Sequence, residues 1–365
     1  MTGWSPSWRP GPTDSITDVV GVTVGHSHRI DDDVVLATDT TPGSGWATGV
    51  TVVRPPTGSI VAVDVRGGGP GTRETDLLDP SNTVQTAHAL VLSGGSAFGL
   101  CAADGVMTEL ASAGIGLPMN AFGDVVPIVP AAVIFDLPVG GWQQRPTPAD
   151  GRAAARAASA QVARGSVGAG AAARAGVLKG GVGTASVVLD APGATGVTVA
   201  ALVVANPVGD VIDPASGLPW GSEDSELAHH RLGVPDPADV ERYRQLRPKG
   251  TVLNTTIGVV AFDARLDAAS TRRVAIAAHD GLALAIRPAH SPLDGDTLFA
   301  VATGGRLIEP APGPPSGMNP DVALVAAVSA AAAVVVRRAV VDAVLCASTV
   351  AGIPTFRATL PSALR

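Results

Sequence analysis

The sequence predicts a mixed α and β protein in which two sheets are layered with helices. Short apolar segments bounded by Gly, Pro or polar residues are typical of strands, and longer segments with apolar residues at helical spacing are typical of helices. The two kinds alternate along the 365 residues without a repeated βαβ unit and without an internal repeat. The pattern establishes the mixed class, and layered sheets are the preferred arrangement within it.

Each predicted element follows from its local pattern. Strands are expected at 60–65, 197–205, 256–263 and 297–301, and helices at 97–114, 150–164, 237–245, 267–286 and 322–336. The last helix is rich in Ala and Val, and we expect it to end where Arg337 and Arg338 follow. It falls short of the roughly 18 residues that a membrane span needs, so a buried helix without membrane contact is predicted.

Composition excludes several classes of function. The net charge of −7 argues against a nucleic-acid partner, which would need a basic face. Hydrophobic residues make up 46% of the chain but aromatic residues only 3%, so the core is expected to consist of Ala, Val, Leu and Ile. Cys101 and Cys346 have apolar neighbours, which indicates buried thiols in a reducing compartment. The first 15 residues contain no apolar segment typical of a secretory signal, so a cytoplasmic location is predicted.

One composition break lies at residues 213–249, which are rich in Pro and in charged side chains. We expect this segment to be a charged, flexible and solvated excursion outside the core. It lies just before Asn254 and Thr255, where a mobile segment would let an upstream chain end move away after a cut.

The most informative residue is Thr255, which stands where a polar loop ending at Asn254 meets the predicted strand 256–263. Its hydroxyl can attack the carbonyl before it, release the upstream chain and leave Thr255 as a new N-terminal residue. Such a residue holds both nucleophile and base, because its α-amine can accept the hydroxyl proton. An α-amine has a reference pKa of about 7.7–8. The alternative interpretation is a plain Asn-Thr-Thr turn before a strand.

Two further segments place polar groups where a substrate can bind. In Ser93-Gly94-Gly95-Ser96, paired glycines allow close backbone approach and Ser96 can cap the next helix. These residues are either amide donors lining a pocket or a tight strand-to-helix turn. Asn206 follows a predicted strand and precedes Pro207, so its side chain either donates to an oxyanion or forms an Asn-Pro turn.

Charged residues complete the candidate site. Lys179 lies among glycines, where desolvation would lower its pKa and suit proton transfer, unless it is a surface lysine in a hairpin loop. Asp294 and Asp296 flank Gly295 before a predicted strand, so both carboxylates can point at one site. A turn or half of a calcium loop is the alternative, although the remaining calcium ligands are missing. Two carboxylates would raise the pKa of a nearby amine, and Lys179 is the candidate that offsets them.

No cofactor or metal site is expected. Residues 165–170 are glycine-rich but lack the GxGxxG spacing, and Lys179 is followed by Gly, which excludes a P-loop. The histidines are scattered, and neither an HExxH nor a CxxC spacing is present.

Six motifs occur in a fixed order: ITDVVGVTVGH (16–26), SGGSAFGLCAADGVM (93–107), GSVGAG with LKGGVGTAS (165–186), VANPVG (204–209), NTTIGVV (254–260) and DGDTLFA (294–300). Together they resemble the L-aminopeptidase/D-esterase family, which includes the β-peptidyl aminopeptidases and the nylon-oligomer hydrolase. The resemblance covers residues near 16 to 350. It implies an α+β fold, a four-layer αββα sandwich of the N-terminal-nucleophile type with a distinct chain connectivity.

The resemblance also implies one catalytic domain, 1–365, that cuts itself between Asn254 and Thr255. The products would be a large subunit, 1–254, and a small subunit, 255–365. Thr255 matches the family nucleophile, and Asn206 matches the oxyanion donor.

Three charged residues match the surroundings of the nucleophile in the nylon hydrolase: Lys179, Asp294 and Asp296. Aminopeptidase members carry a Ser nucleophile and a Ser-x-Glu pair instead, so this chain follows the nylon-hydrolase pattern at these positions. Phe135 falls where members carry a Tyr whose hydroxyl helps the tetrahedral intermediate. Phe135 is therefore expected to line the pocket without giving that help.

These points predict a self-processing amide hydrolase, an aminopeptidase acting on peptides or amino acid amides, including β- or D-residues. Its partner is a small-molecule peptide or amide, and it is expected to form a homo-oligomer of cleaved heterodimers, a tetramer by resemblance. The alternatives are an acyltransferase similar to ornithine acetyltransferase, a hydrolase of nylon-type oligoamides, and a non-catalytic binding protein of the same fold.

Overall fold

A computed structural model describes residues 7–247, 253–306, 308 and 315–365. The described residues form fifteen strands: β1 (Ser7–Pro10), β2 (Thr23–Ile30), β3 (Ala47–Arg54), β4 (Ile60–Val65), β5 (Thr72–Arg73), β6 (Leu90–Ser93), β7 (Leu117–Pro118), β8 (Val125–Val126), β9 (Ala131–Val133), β10 (Arg174–Ala175), β11 (Leu178–Lys179), β12 (Gly181–Asp190), β13 (Thr198–Ala205), β14 (Ile257–Phe262) and β15 (Thr297–Ala302). They also form seven α-helices: α1 (Ala102–Ser112), α2 (Pro148–Arg156), α3 (Asp224–His229), α4 (Pro237–Arg244), α5 (Ala268–Ala285), α6 (Val322–Leu345) and α7 (Phe356–Thr359).

Two large sheets organise these elements. Sheet A has the strand order β1-β12-β13-β14-β15-β4, and its neighbours are antiparallel except for the parallel pair β14 and β15. Sheet B has the order β2-β3-β6-β9-β5, with a parallel pair only between β6 and β9. Among the described residues there are also two two-stranded ribbons, β7 with β8 and β10 with β11. All four predicted strands are present as β4, β13, β14 and β15, with ends that differ by one residue at most.

Three apolar layers hold the sheets and helices together. Between the sheets, Val204 and Val259 of sheet A pack in one core with Leu92 of sheet B. On the outer face of sheet A, α5 and α6 cover strands β12 to β15, and on the outer face of sheet B, α1 and α2 cover β3 and β6. The order of layers is therefore helix, sheet, sheet, helix, which confirms the αββα sandwich.

Helix α6 differs from its predicted end. It continues through Arg337 and Arg338 to Leu345, so the expected stop was wrong. The charge of Arg338 does not require a helix end, because Arg338 Nη2 donates to Glu226 Oε1 at 2.7 Å and its guanidinium covers the Trp8 ring at 4.2 Å. Among the described helices, α6 is long and apolar enough to cross a membrane by length and composition. It packs on β12, β13 and α5, as expected for a buried helix.

Two other helices are shorter than predicted. The segment expected as one helix over 97–114 begins as a 3₁₀-helix, Ser96–Cys101, before α1. Its entry uses Gly95 and Ser96 at positive φ (81° and 53°), a conformation that glycine adopts freely. The helix expected over 150–164 ends at Arg156.

The predicted excursion is packed more tightly than expected. Leu232, Val240 and Tyr243 are buried in the core beneath α5 and α6, so a wholly solvated segment was a wrong expectation for 213–247. Tyr243 satisfies its hydroxyl by donating to Ile212 O at 3.1 Å. Helix α4 matches the predicted short charged helix, whereas residues 248 and 249 lie outside the described residues.

Candidate active site

One end of sheet A gathers the residues singled out in the sequence. The register pairs Val204 with Ile257 and Ile257 with Thr297, so the last residues of β13 meet the first residues of β14 and β15. Gly181, the first residue of β12, pairs with Ala205 at the same end. Polar residues that follow β13 or precede β12, β14 and β15 therefore share one edge.

Thr255 lies at the centre of this edge and is 3% exposed. Its backbone N–H donates to Asn206 O at 3.0 Å. Its hydroxyl contacts the carbonyl oxygen of Asn254, the residue before it, and accepts a hydrogen bond from Gly295 N at 3.1 Å. The hydroxyl is thus held against the peptide bond that it would have to attack, which is the proximity that an intramolecular acyl transfer needs.

Asn206 is buried beside Thr255, with both ends of its side-chain amide engaged. Its Oδ1 accepts from Arg174 N at 2.8 Å, and its Nδ2 donates to Phe135 O at 3.1 Å. The amide is therefore fixed in orientation and presents its donor on the side of Phe135.

The acidic pair is buried, but its oxygens bind backbone groups. Asp294 accepts from Val208 N at 3.2 Å and from Ser291 N at 3.1 Å, and burial raises its pKa, with the charge of Asp296 as a further cause. Asp296 Oδ1 accepts from Thr256 N at 2.8 Å. The two carboxylates thus tie the chain after β13 and the start of β14 to the start of β15.

Lys179 is fully buried, which excludes the surface-loop alternative. Its Nζ donates to Gly170 O and Gly180 O, both at 2.9 Å. Burial lowers the pKa of Lys179 to about 7, partly opposed by the charge of Asp136. The carboxylate that acts on Lys179 is therefore Asp136 rather than the predicted Asp294 or Asp296.

Asp136 is a buried residue that the sequence analysis passed over. Its Oδ1 accepts from Gly95 N at 2.6 Å and its Oδ2 accepts from Thr48 Oγ1 at 3.2 Å. Burial raises the pKa of Asp136 to about 6. The only sequence signal was its place next to Phe135.

A cavity of about 180 Å³ opens beside Thr255 and has uncharged walls. Ser96 and Phe135 line it as expected, together with Asn254, Leu253, Leu293 and residues from the Gly69–Gly71 turn. Ser93, Gly94 and Gly95 do not border it, which corrects the prediction: they form the buried turn that wraps Asp136. Asp294 and Asp296 do not line the cavity either.

His290 is a second residue that sequence reasoning missed. Its Nδ1 lies 2.8 Å from Asp296 Oδ2, although the histidines had been interpreted as scattered. Only the fold reveals this contact, because no motif spacing marks His290. The described residues contain no cluster of His, Cys, Asp and Glu able to hold a metal ion.

Comparison with known proteins agrees with this geometry. The profile of peptidase family S58 matches residues 14–357. The chain is 55% identical over 353 residues to an uncharacterised aminopeptidase of Mycobacterium tuberculosis (strain ATCC 25618 / H37Rv), covering 96% of this chain and 98% of that one. It is 31% identical over 311 residues to the 6-aminohexanoate-oligomer endohydrolase of Kocuria sp. (strain KY2), covering 82% and 78% of the two chains.

Solved structures share the architecture. A beta-aminopeptidase of Burkholderia sp. superposes with a TM-score of 0.67 at 25% identity over 96% of this chain and 92% of that one. The L-aminopeptidase D-Ala-esterase/amidase of Ochrobactrum anthropi, described as a variant of the Ntn hydrolase fold, gives a TM-score of 0.65 at 22% identity over 100% and 93%. The match over nearly the whole chain, with the layered fold, shows that this protein belongs to peptidase family S58 and is an aminopeptidase-like hydrolase of peptide or amide bonds.

Proposed function

We propose that the chain cuts its own peptide bond between Asn254 and Thr255 and then uses Thr255 as the nucleophile of amide hydrolysis. The observation that carries the proposal is the contact of Thr255 Oγ1 with the carbonyl oxygen of Asn254 inside a buried site. The hydroxyl attacks the carbonyl carbon, and the carbon–nitrogen bond breaks as the Thr255 nitrogen takes up a proton. Water then hydrolyses the resulting ester, leaving a carboxylate on Asn254 and a free amine on Thr255.

The freed residue then acts on substrate. Its α-amine accepts the hydroxyl proton while Oγ1 attacks the substrate carbonyl. The α-amine passes this proton to the substrate nitrogen as the carbon–nitrogen bond breaks, and an amine or ammonia departs. Water then hydrolyses the ester on Thr255 and releases the acyl group as an acid. A reference pKa of about 7.7–8 suits the amine to this exchange near neutral pH.

Asn206 is the proposed oxyanion donor. Its backbone carbonyl accepts from Thr255 N, and its Nδ2 is fixed against the carbonyl of Phe135, which lines the same cavity as Thr255. A preorganised amide donor is typically worth about 10²–10³ in rate. The acidic pair has a positioning role in this scheme, since Asp294 binds the backbone of Val208, two residues after Asn206, and Asp296 binds the backbone of Thr256, directly after the nucleophile.

The substrate class follows from the cavity and the relatives. The small volume favours a compact acyl group, as in short peptides and amino acid amides. Hydrolysis of linear oligoamides is the second candidate, favoured by the 31% identity to a 6-aminohexanoate-oligomer endohydrolase. An amine in place of water would make the same acyl-enzyme an acyltransferase.

We also infer a cytoplasmic protein that works as a homo-oligomer of cleaved heterodimers. Cys101 and Cys346 are free thiols, as a reducing compartment requires. The tetramer implied by the family resemblance is testable by light scattering of the cut protein.

Three variants test the proposal on a gel and in an amidase assay. Thr255→Ala stays one chain of 36.3 kDa, because the attacking hydroxyl is gone, whereas Thr255→Ser retains a hydroxyl and is cut. Thr303→Ala, which replaces a threonine after β15 outside the cavity, is the matched control and is cut like the parent.

N-terminal sequencing of the small fragment is decisive: a start at any residue other than Thr255 contradicts the proposal. An uncut parent chain supports the binding-protein alternative, and competition between water and added amines separates hydrolase from acyltransferase.

A further inference from the structure

His290 is linked to the nucleophile through a single carboxylate. Asp296 Oδ2 accepts from His290 N at 3.2 Å and lies 2.8 Å from His290 Nδ1, while Asp296 Oδ1 accepts from Thr256 N at 2.8 Å. Asp296 is 1% exposed, so water does not compete for these bonds. One side of the carboxylate therefore holds His290, and the other side holds the residue directly after Thr255.

The surroundings define which nitrogen of each imidazole carries a proton. Both oxygens of Asp296 already accept from backbone N–H groups, of Thr256 and of His290, and we take Nδ1 of His290 as a third donor to this acceptor. The ring of His279 from α5 stands edge-on to His290 at 5.0 Å, and its Nε2 lies 3.0 Å from Asp64 O. A carbonyl only accepts, so Nε2 of His279 carries a proton. Burial lowers the pKa of His279.

The loop geometry also fixes His290. Its backbone has a φ of 55°, in the left-handed region that Asn and Gly tolerate better than other residues. Its side chain is 21% exposed, so the imidazole reaches both the buried carboxylate and solvent.

We propose that His290 is a positioning residue of the hydrolase, which locks Asp296 against Thr256 N and thereby fixes the backbone that carries the Thr255 hydroxyl. This inference rests on the proposed function. It adds an imidazole to a site whose other members are Thr255, Asn206 and the acidic pair. Without the imidazole, Asp296 Oδ2 keeps only the backbone donor of residue 290, at 3.2 Å, so the carboxylate is held less firmly against Thr256.

Two variants distinguish the role of the hydrogen-bond donor of His290 from that of its imidazole ring. His290→Gly removes the imidazole without backbone strain at this φ. His290→Asn suits the same φ, and its Nδ2 stands where Nδ1 stood, so it restores the donor. The matched control is His28→Asn, an exposed histidine of β2 on the other sheet. Each protein is assayed for the rate of cutting before Thr255, and the cut fraction for kcat and KM on an amino acid p-nitroanilide.

The expected result is a loss of about 10- to 100-fold in kcat for His290→Gly, the scale of a lost hydrogen bond to a charged group. KM changes by less than about threefold, because the loss falls on the reacting geometry and not on substrate binding. His290→Asn recovers most of the rate, and added imidazole partly rescues His290→Gly through the exposed edge of the site. The rate of cutting before Thr255 is expected to fall more in His290→Gly than in His290→Asn. The cutting assay therefore gives a result even where little cut protein forms.

Rates of cutting and kcat for His290→Gly within about twofold of the parent would overturn the inference. So would equal losses in His290→Asn and His290→Gly, because then the ring itself and not the donor would matter. Failure of the proposed function looks different, since it shows as a parent chain that is uncut or inactive.

Discussion

Asn206 holds Thr255 through its backbone, while its side chain faces away to Phe135. Thr255 N donates to Asn206 O at 3.0 Å, and Asn206 Nδ2 donates to Phe135 O at 3.1 Å. The same residue therefore positions the nucleophile in the uncut chain through its carbonyl and fixes its amide donor against Phe135, a residue of the cavity wall. Because Oδ1 is also bound, by Arg174 N, the amide has one orientation that satisfies all of these groups.

Asn206→Asp tests the donor with little change in shape. The carboxylate retains an acceptor for Arg174 N but has no N–H to give, so we expect kcat to fall by about 10²–10³ with a smaller change in KM. Asn206→Ala should lose the same activity and also about 1–3 kcal/mol of unfolding free energy, because it leaves buried backbone groups unpaired. Steady-state kinetics and urea unfolding of both variants make the comparison. An unchanged kcat in either variant would reduce Asn206 to a turn former.

The buried pair of Lys179 and Asp136 predicts a pH dependence of stability. Folding lowers the pKa of Lys179 from 10.5 to about 7, so between these values the unfolded chain binds a proton that the folded chain does not. Unfolding free energy therefore rises with pH across this window, by at most about 1.4 kcal/mol per pH unit. Below about pH 7 the lysine is charged in both states and its full burial cost remains.

The measurement compares Lys179→Met with the parent in a Thr255→Ala background, so that every sample is one chain. We expect the parent to gain stability over Lys179→Met as the pH rises from about 7 to 10. The contribution of Asp136 to the free energy of unfolding is expected to fall as the pH rises from about 4 to 6, because burial raises the pKa of this carboxyl. Parallel curves for the two proteins from pH 7 to 10 would show that Lys179 keeps an ordinary pKa.

The substitution Gly295→Ala is expected to displace the hydroxyl of Thr255 through a steric clash. A Cβ at this position would lie 2.7 Å from Thr255 Oγ1 and 2.9 Å from Gly69 O, so the hydroxyl has to move. A displacement near 1 Å costs about 10²-fold in rate, and we expect cutting and kcat to fall by about this factor. Gly305→Ala is the matched control, since its Cβ meets only Thr303 Oγ1 at 3.7 Å. Equal rates for both variants would mean that the loop yields without disturbing Thr255.

Local pattern was sufficient for the elements with strong periodicity. Strands β4, β13, β14 and β15 and helix α5 lie within one residue of their predicted bounds, because each is a short apolar run or an amphipathic repeat between clear breaks. Local pattern could not predict the end of a helix where a charged residue of that helix pairs with a residue distant in the sequence. Arg338 was interpreted as the end of α6, although Glu226, 112 residues away in the chain, forms an ion pair with it inside the core.

The sequence by itself determined the family, the mixed layered fold and the segments that carry Thr255, Asn206, Lys179 and the acidic pair, because these are properties of local residue order. Only the tertiary structure decided which of these residues face one another. The register of sheet A brings the ends of β13, β14 and β15 to one edge, and the parallel pairing of β6 with β9 in sheet B places Asp136 beside the turn at Gly95. Such contacts depend on strand order and on burial from all sides, which no single segment of the chain specifies.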